Sequence, residues 1–190
     1  MDKRTFLLAG ASAAAGTILA GCTTTGSAPS DPAARRASIN SGVDRALGDL
    51  YRQVQGSNEL VSRARGVLVF PSFVQAGFIV GGGSGEGALR EGGSTTGFYR
   101  MTTASVGWLA GAQSVAIVYL FNTTDALAKF KASGGWQAGV DAGVSVVNVG
   151  ASARVDTASA SQAVNAFVMT NAGLMANVSL DGSRITRLDL

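Results

Sequence analysis

The sequence predicts an α+β domain. Amphipathic helices come first, then a β-rich antiparallel sheet closed or doubled on itself like a barrel or sandwich, with one short helix inserted in the sheet region. Three observations predict it. Between Ala33 and Gln55 apolar residues recur at helical spacing; beyond Gly66 the chain turns to short β-branched and aromatic runs punctuated by glycine; and those runs stand too close together for parallel crossovers, which need about a dozen residues or more. Composition agrees with a packed domain, since 46% of the 190 residues are hydrophobic and only 14% are charged.

Lys3 and Arg4 give the chain a basic start, Phe6 to Ala20 is apolar or small, and Leu19-Ala20-Gly21-Cys22 closes the stretch. That is the pattern of a secretory signal peptide over residues 1–21. The apolar stretch is about 15 residues, shorter than the ~17–25 of a spanning helix. The Leu-Ala-Gly-Cys tetrad resembles the lipobox of bacterial lipoproteins, which implies acylation of Cys22, the sole cysteine. The alternative is an ordinary signal peptide with a chance cysteine. Thr23 and Thr24 follow, rather than Asp, which by the same resemblance implies the outer membrane. Lys3-Arg4-Thr5-Phe6-Leu7-Leu8 is similar to a twin-arginine export motif with Lys for the first Arg, so Sec export is expected.

Residues 22–32 read as the lipidated cysteine and a flexible tether of at most ~35 Å, and residues 33–190 as the domain. In the first helix Ile39, Val43, Ala46, Leu47, Leu50, Tyr51 and Val54 share one face. Gly56-Ser57-Asn58 breaks it, and Glu59 to Arg65 reads as a second, short helix. Short strands are then expected at 67–70, 77–80, 87–90, 97–101, 104–110, 114–121, 144–149, 166–170, 174–180 and 185–190. Asn122-Thr123-Thr124 can cap a helix over Asp125 to Ala132, with Leu127 and Phe130 toward a core. Gly81 to Gly87 reads as a tight hairpin with positive φ at several glycines; its GxGxxA match lacks the helix a nucleotide loop requires.

Two membrane architectures compete with this arrangement. Met101 to Thr124 and Thr157 to Leu180 carry no charge, but Gly, Gln, Ser and Asn interrupt both, so they read as buried strands. An outer-membrane β-barrel needs strands of about 9–11 residues, and the runs here look shorter.

Chemistry is bounded by what is missing. With no His and one Cys there is no imidazole base, no Cys-His or Ser-His-Asp nucleophile, no thiolate cluster and no internal disulfide. Glu86, Asp141 and Asp156 look scattered, without calcium-loop or carboxylate-pair spacing. We therefore expect no enzyme, no metal and no cofactor.

Ala64-Arg65-Gly66-Val67-Leu68-Val69-Phe70-Pro71, followed by Gln75-Ala76-Gly77-Phe78-Ile79-Val80 and the glycine run to Gly87, resembles the opening of the SYLF domain. Three later blocks agree: Gly107 to Phe121, Trp136 to Val149, and Phe167 to Leu190. The resemblance spans residues 38 to 190, with Gly143 where Ser is usual. It implies phospholipid binding, through an amphipathic N-terminal helix and basic residues, with phosphoinositides best known for eukaryotic members. Some members bind actin, a partner not expected for an exported bacterial protein; nucleic acid is not expected either.

The candidate headgroup contacts are Arg35, Arg36, Arg45 and Arg52 on the first helix, and Lys129 and Lys131 on the inserted one. The candidate apolar membrane face is Ile39, Val43, Leu47 and Leu50, joined by Trp136. For the helix the alternative is docking on the sheet, and for Trp136 a place in the core. From Cys22 onward 13 basic residues face 11 acidic ones, so electrostatic targeting must come from local patches. The expected function is an outer-membrane-anchored lipoprotein that binds phospholipid; the alternative is a scaffolding envelope lipoprotein that binds another protein.

Overall fold

Two adjacent glycines at positive φ, Gly92 (57°) and Gly93 (85°), reverse the chain between Glu91 and Ser94, the signature of a two-residue hairpin turn. Around that hairpin a computed structural model gives the architecture of residues 31–77, 80–106, 111–138, 141, 143–146, 162–170, 173–174, 180 and 182–190. The expected signal peptide, Cys22 and the expected tether before Asp31 lie outside the described residues, as does most of the expected strand at 174–180.

Helix α1 (Pro32–Gln53) starts where local chemistry dictates: the Asp31 carboxylate accepts from the Ala34 amide at 3.0 Å, and Pro32 needs no partner in the first turn. Helix α2 (Ser57–Arg63) follows after Gly56 (φ 84°). Then come β1 (Gly66–Gly77), β2 (Val80–Glu91), β3 (Ser94–Val106) and β4 (Gly111–Phe121). Helix α3 (Thr124–Ala132) is capped by the Thr123 hydroxyl, which accepts from Ala126 at 3.2 Å. Strands β5 (Trp136–Gln137), β6 (Val144–Val146), β7 (Val164–Thr170), β8 (Gly173–Leu174) and β9 (Arg184–Leu188) complete the order.

The sheet runs β5-β9-β3-β2-β1-β4-β7-β6, with β8 beside β7. Its pairs are antiparallel except β6 with β7, which is parallel. The sheet curls into a half-barrel: Trp136 on edge strand β5 packs its ring 5.8 Å from Tyr119 on β4, five places along. The concave side holds one core, with Phe70, Phe73, Tyr119, Phe121 and Trp136 and the α3 residues Leu127 and Phe130. The convex side holds a second, with α1 laid over β1, β2, β4 and β7. Both faces are thus occupied by packed apolar side chains, the reverse of a membrane barrel with its polar lumen and lipid-facing exterior.

Three expectations are corrected. Strands β1 to β4 run to 12, 12, 13 and 11 residues, where short strands were expected, so length is not what separates this sheet from a membrane barrel. Gly81 to Gly87 lies inside β2 rather than at a turn. The reason is close packing: a β-bulge in β1 between Val69 and Ser72 brings its backbone over β2, so that a Cβ on Gly87 would sit 2.1 Å from the Val69 carbonyl oxygen. The uninterrupted ladder also joins the expected strands 97–101 and 104–110 into β3, as far as Val106.

Candidate functional site

The apolar face of α1 meets the sheet. Ile39, Val43, Leu47 and Leu50 are buried with Ala46 and Val54 against Val67, Val69, Ala88, Val118, Leu120, Phe167 and Met169. Each large side chain so buried contributes about 1.5–3 kcal/mol, which a free helix would forfeit. Of the two possibilities the sequence left open, the structure takes docking. These four residues pack on the sheet and do not present a bilayer-facing surface, which corrects their assignment to a membrane face. Trp136 is likewise core, at 2% exposure, with its ring edge-on to Tyr119, Phe121 and Phe130.

Polar contacts complete the docking of α1. Arg35 forks onto Glu86 of β2, with Nε donating to Oε2 at 2.8 Å, and Arg100 of β3 donates to the same carboxylate at 2.8 Å. The Arg35 hydrogen bond, supported by Arg100, holds the Glu86 carboxyl below its ordinary value despite partial burial. Glu86 raises Arg35 in return. Asp44 pairs with Arg90 of β2 at 2.7 Å, and the Thr95 hydroxyl donates to Asn40 Oδ1 at 2.8 Å. Gly42 lets the helix settle on Pro71, because a Cβ there would lie 2.8 Å from the ring.

The candidate cations separate into different environments. Arg35 is a structural clamp. Arg36 is exposed and donates to the backbone carbonyl of Leu190. Arg52 pairs with Asp49 one turn back, its side chain 73% exposed. Arg45 is exposed and makes a long 3.4 Å contact to the Ser41 carbonyl of its own helix. Lys129 pairs with Asp125 at 2.9 Å, and Lys131 reaches Glu91 at 2.8 Å, lowering that carboxyl with help from Thr96. Because α3 packs in the concave core and α1 on the convex face, the lysines and arginines do not form one surface.

Beside α1 runs a groove of about 600 Å³. Ser38, Gly42, Arg45, Asp49 and Gln53 form its helical wall, and Ser72, Glu86, Ser114 and Met169 belong to the facing strands. The Ser72 and Ser114 hydroxyls share a 3.0 Å hydrogen bond across β1 and β4. Arg45 is thus the candidate cation with a groove beside it and without a carboxylate among the described residues. Two features escaped sequence reasoning. Glu86, taken for a scattered acid, is the hub of a three-residue ion cluster, and Arg100 completes it. Asp141 accepts from the Gln137 amide at 2.5 Å. Among the described residues no three His, Cys, Asp or Glu side chains converge as metal ligands, and no helix is long and apolar enough to cross a membrane.

Comparison with known families matches residues 102–189, the end of β3 through β9, to the family described as "Ysc84: Las17-binding protein actin regulator". No curated protein matches the chain. The matched segment contains three of the four sequence blocks that resemble the SYLF domain; the opening block around Gly66 precedes it. Over residues 102–189, a little under half of its length, the chain is therefore similar to the Ysc84 family.

Proposed function

We propose that this domain binds phospholipid without turning it over, on a chain anchored through lipidated Cys22 to the bacterial outer membrane. The observation that carries the binding reading is Arg45, a guanidinium in no ion pair among the described residues, at the edge of a groove that carries the hydroxyls of Ser38, Ser72 and Ser114 and whose two carboxylates, Asp49 and Glu86, are already paired with other arginines. An anionic headgroup satisfies such a cation by charge-assisted hydrogen bonds, and exposed Arg36 and Arg52 on the same helix add longer-range attraction. A binding role needs none of the nucleophiles or imidazole bases the composition lacks. Lipidation rests on the lipobox resemblance at Cys22, since acyl chains contribute about 0.8 kcal/mol per buried methylene and two or more hold a protein stably.

The test is vesicle flotation of residues 31–190, a chain that retains both cores and lacks Cys22. Co-flotation with anionic vesicles that fades at high salt, and weakens on Arg45→Ala with Arg36→Ala and Arg52→Ala, is the expected result. Arg35 stays unaltered because its loss would loosen α1. Absence of flotation at low salt refutes domain-level lipid binding. For the anchor, Cys22→Ser should abolish incorporation of labelled palmitate.

A second reading, a scaffold for another envelope protein, is favoured by the family description, which names protein binding. A domain that never floats yet binds one defined envelope partner would establish it.

A further inference from the structure

Charge is divided unequally along the sheet. Between Phe70 and Gly85, and between Met101 and Thr124, the sequence has no Asp, Glu, Lys or Arg. In the register of the strands these stretches coincide. Phe73 lies beside Gly85 and Val115, and Gly85 beside Met101, so one end of β1–β2–β3–β4 beyond that row is free of charge. The charged strand residues Glu86, Arg90, Glu91 and Arg100 all lie toward the other end. In sequence, residues 78–79 and 107–110 carry no charge either.

The outward side of this end lies beyond the stripe that α1 covers. Ser72, Val74, Ala76, Ser84, Thr102 and Ala104 are exposed there, and Val74, at 48%, is one of two large hydrophobic residues so exposed among those described. We propose that this uncharged end of the four-stranded sheet is the surface that meets the phospholipid bilayer, seated at the depth of the headgroups and upper acyl chains. The inference rests on the lipid-binding reading above and names the face that makes contact.

Three physical points select a bilayer as the occupant. Hydrocarbon rejects charges of either sign, and β1 to β4 have none at this end, the nearest on the next strand being exposed Arg184 beside Thr102 at its margin, while the remainder of the sheet is well supplied. Apolar surroundings also demand paired backbone, and the inner ladders continue to the tip, with Gly77 beside Gly81 and Gly111 and Val80 beside Val106. The chain before the domain reaches the same membrane. Nine residues from Cys22 to Asp31 extend at most ~32 Å, whereas Glu86, which holds α1 through Arg35, lies six residues or ~20 Å along β2 from Val80.

Depth is limited by the same geometry. From Val74 to Gly77 the strand rises ~10 Å, about a third of a ~30 Å hydrocarbon core. Beyond Thr102 on β3, and before Ala116 on β4, the described residues supply no neighbouring strand, so edge amides there favour the hydrated interface.

The experiment uses residues 31–190 with phosphatidylcholine vesicles, and with phosphatidylcholine–phosphatidylglycerol mixtures, each at low and at high salt. Val74→Asp with Ala104→Asp, and Val74→Lys with Ala104→Lys, should each lower the vesicle partition constant, by about tenfold for the lysine pair and by less for the aspartate pair, because charges of either sign oppose seating at the apolar boundary. Both sites are exposed, so melting temperature should hold and serves as the folding control. A fluorophore on Val74→Cys, the only thiol in this chain, should shift to the blue with vesicles and be quenched by brominated acyl chains. If the parent chain floats while the label stays in water, or the lysine pair floats as well as the parent, this inference fails and the lipid reading stands. If the parent floats at neither salt concentration, both fail. If the parent is a dimer that the charged pairs split without changing flotation, the occupant is a second copy and the proposal is overturned.

Discussion

Replacing Gly87 with Ala adds one methyl group, and the structure dictates where it must go. Its Cβ would lie 2.1 Å from the Val69 carbonyl oxygen, 2.7 Å from Phe70 Cδ1 and 2.8 Å from the Val69 carbonyl carbon. Two of these neighbours are backbone in the middle of β1, tied to β2 on one side and β4 on the other, so β1 must move by about 1 Å to restore ordinary contact. Overpacking of this kind costs about 1–3 kcal/mol and more where the neighbour cannot yield. Ala in a strand recovers roughly 0.5–1 kcal/mol relative to Gly. We expect a net loss of about 2–3 kcal/mol, equivalent to a melting temperature lower by roughly 4–12 °C for a chain of this size. Gly82→Ala in the same strand is the internal control: its Cβ meets only the Thr103 carbonyl, at 3.4 Å, so it should be neutral or stabilising by under about 1 kcal/mol. Urea unfolding of both variants measures the difference. Equal effects from the two substitutions would refute the argument that bulge packing, rather than a turn conformation, requires glycine at 87.

Glu86→Gln should cost about 1–2 kcal/mol at neutral pH by weakening two charge-assisted contacts. The folded carboxyl titrates below its ordinary 4.5, so its stabilisation is complete above that pH and is lost as pH falls through the folded value. Acid titration of stability should therefore show a shallower loss in the variant, and an unchanged acid limb would contradict the cluster. Leu50→Ala should destabilise by about 2–5 kcal/mol, because the side chain is fully buried under α1. Arg52→Ala, two residues on and exposed, should stay within about 0.5 kcal/mol; similar losses for both would mean that α1 is not docked as described.

Helices were the most legible part of the fold because their signals are local. The periodicity at Ile39, Val43, Leu47 and Leu50, and the cap at Thr123, brought the ends of α1 and α3 within about two residues of those observed. Strand lengths were not legible, because the run Gly81 to Gly87 looks like a turn until Phe70, Phe73 and the β1 bulge are laid against it. That information lies more than ten residues away in the chain. The site followed the same division. The basic and apolar faces of α1 could be read, but not that Arg35 is committed to Glu86, 51 residues along. Nor could spacing show that Arg45 borders a groove while Lys129 and Lys131 sit on a helix of the opposite face. Trp136 suited a core better than an interface, and the curl of the sheet, which brings an edge strand over Tyr119, decides it.

The seat of α1 has a consequence for the order of folding. The helix is near the start of the domain, yet its apolar stripe rests on Phe167 and Met169 of β7, and Arg36 meets the carbonyl of the last residue, Leu190. A chain synthesised from its N-terminus thus makes α1 long before the surface that finally shelters it, and closing so long a loop slows the search. During that interval the greasy side of the helix has only part of its berth. Removal of β7 through β9 should accordingly unsettle α1 as well, so the first helix and the closing strands stand or fall together.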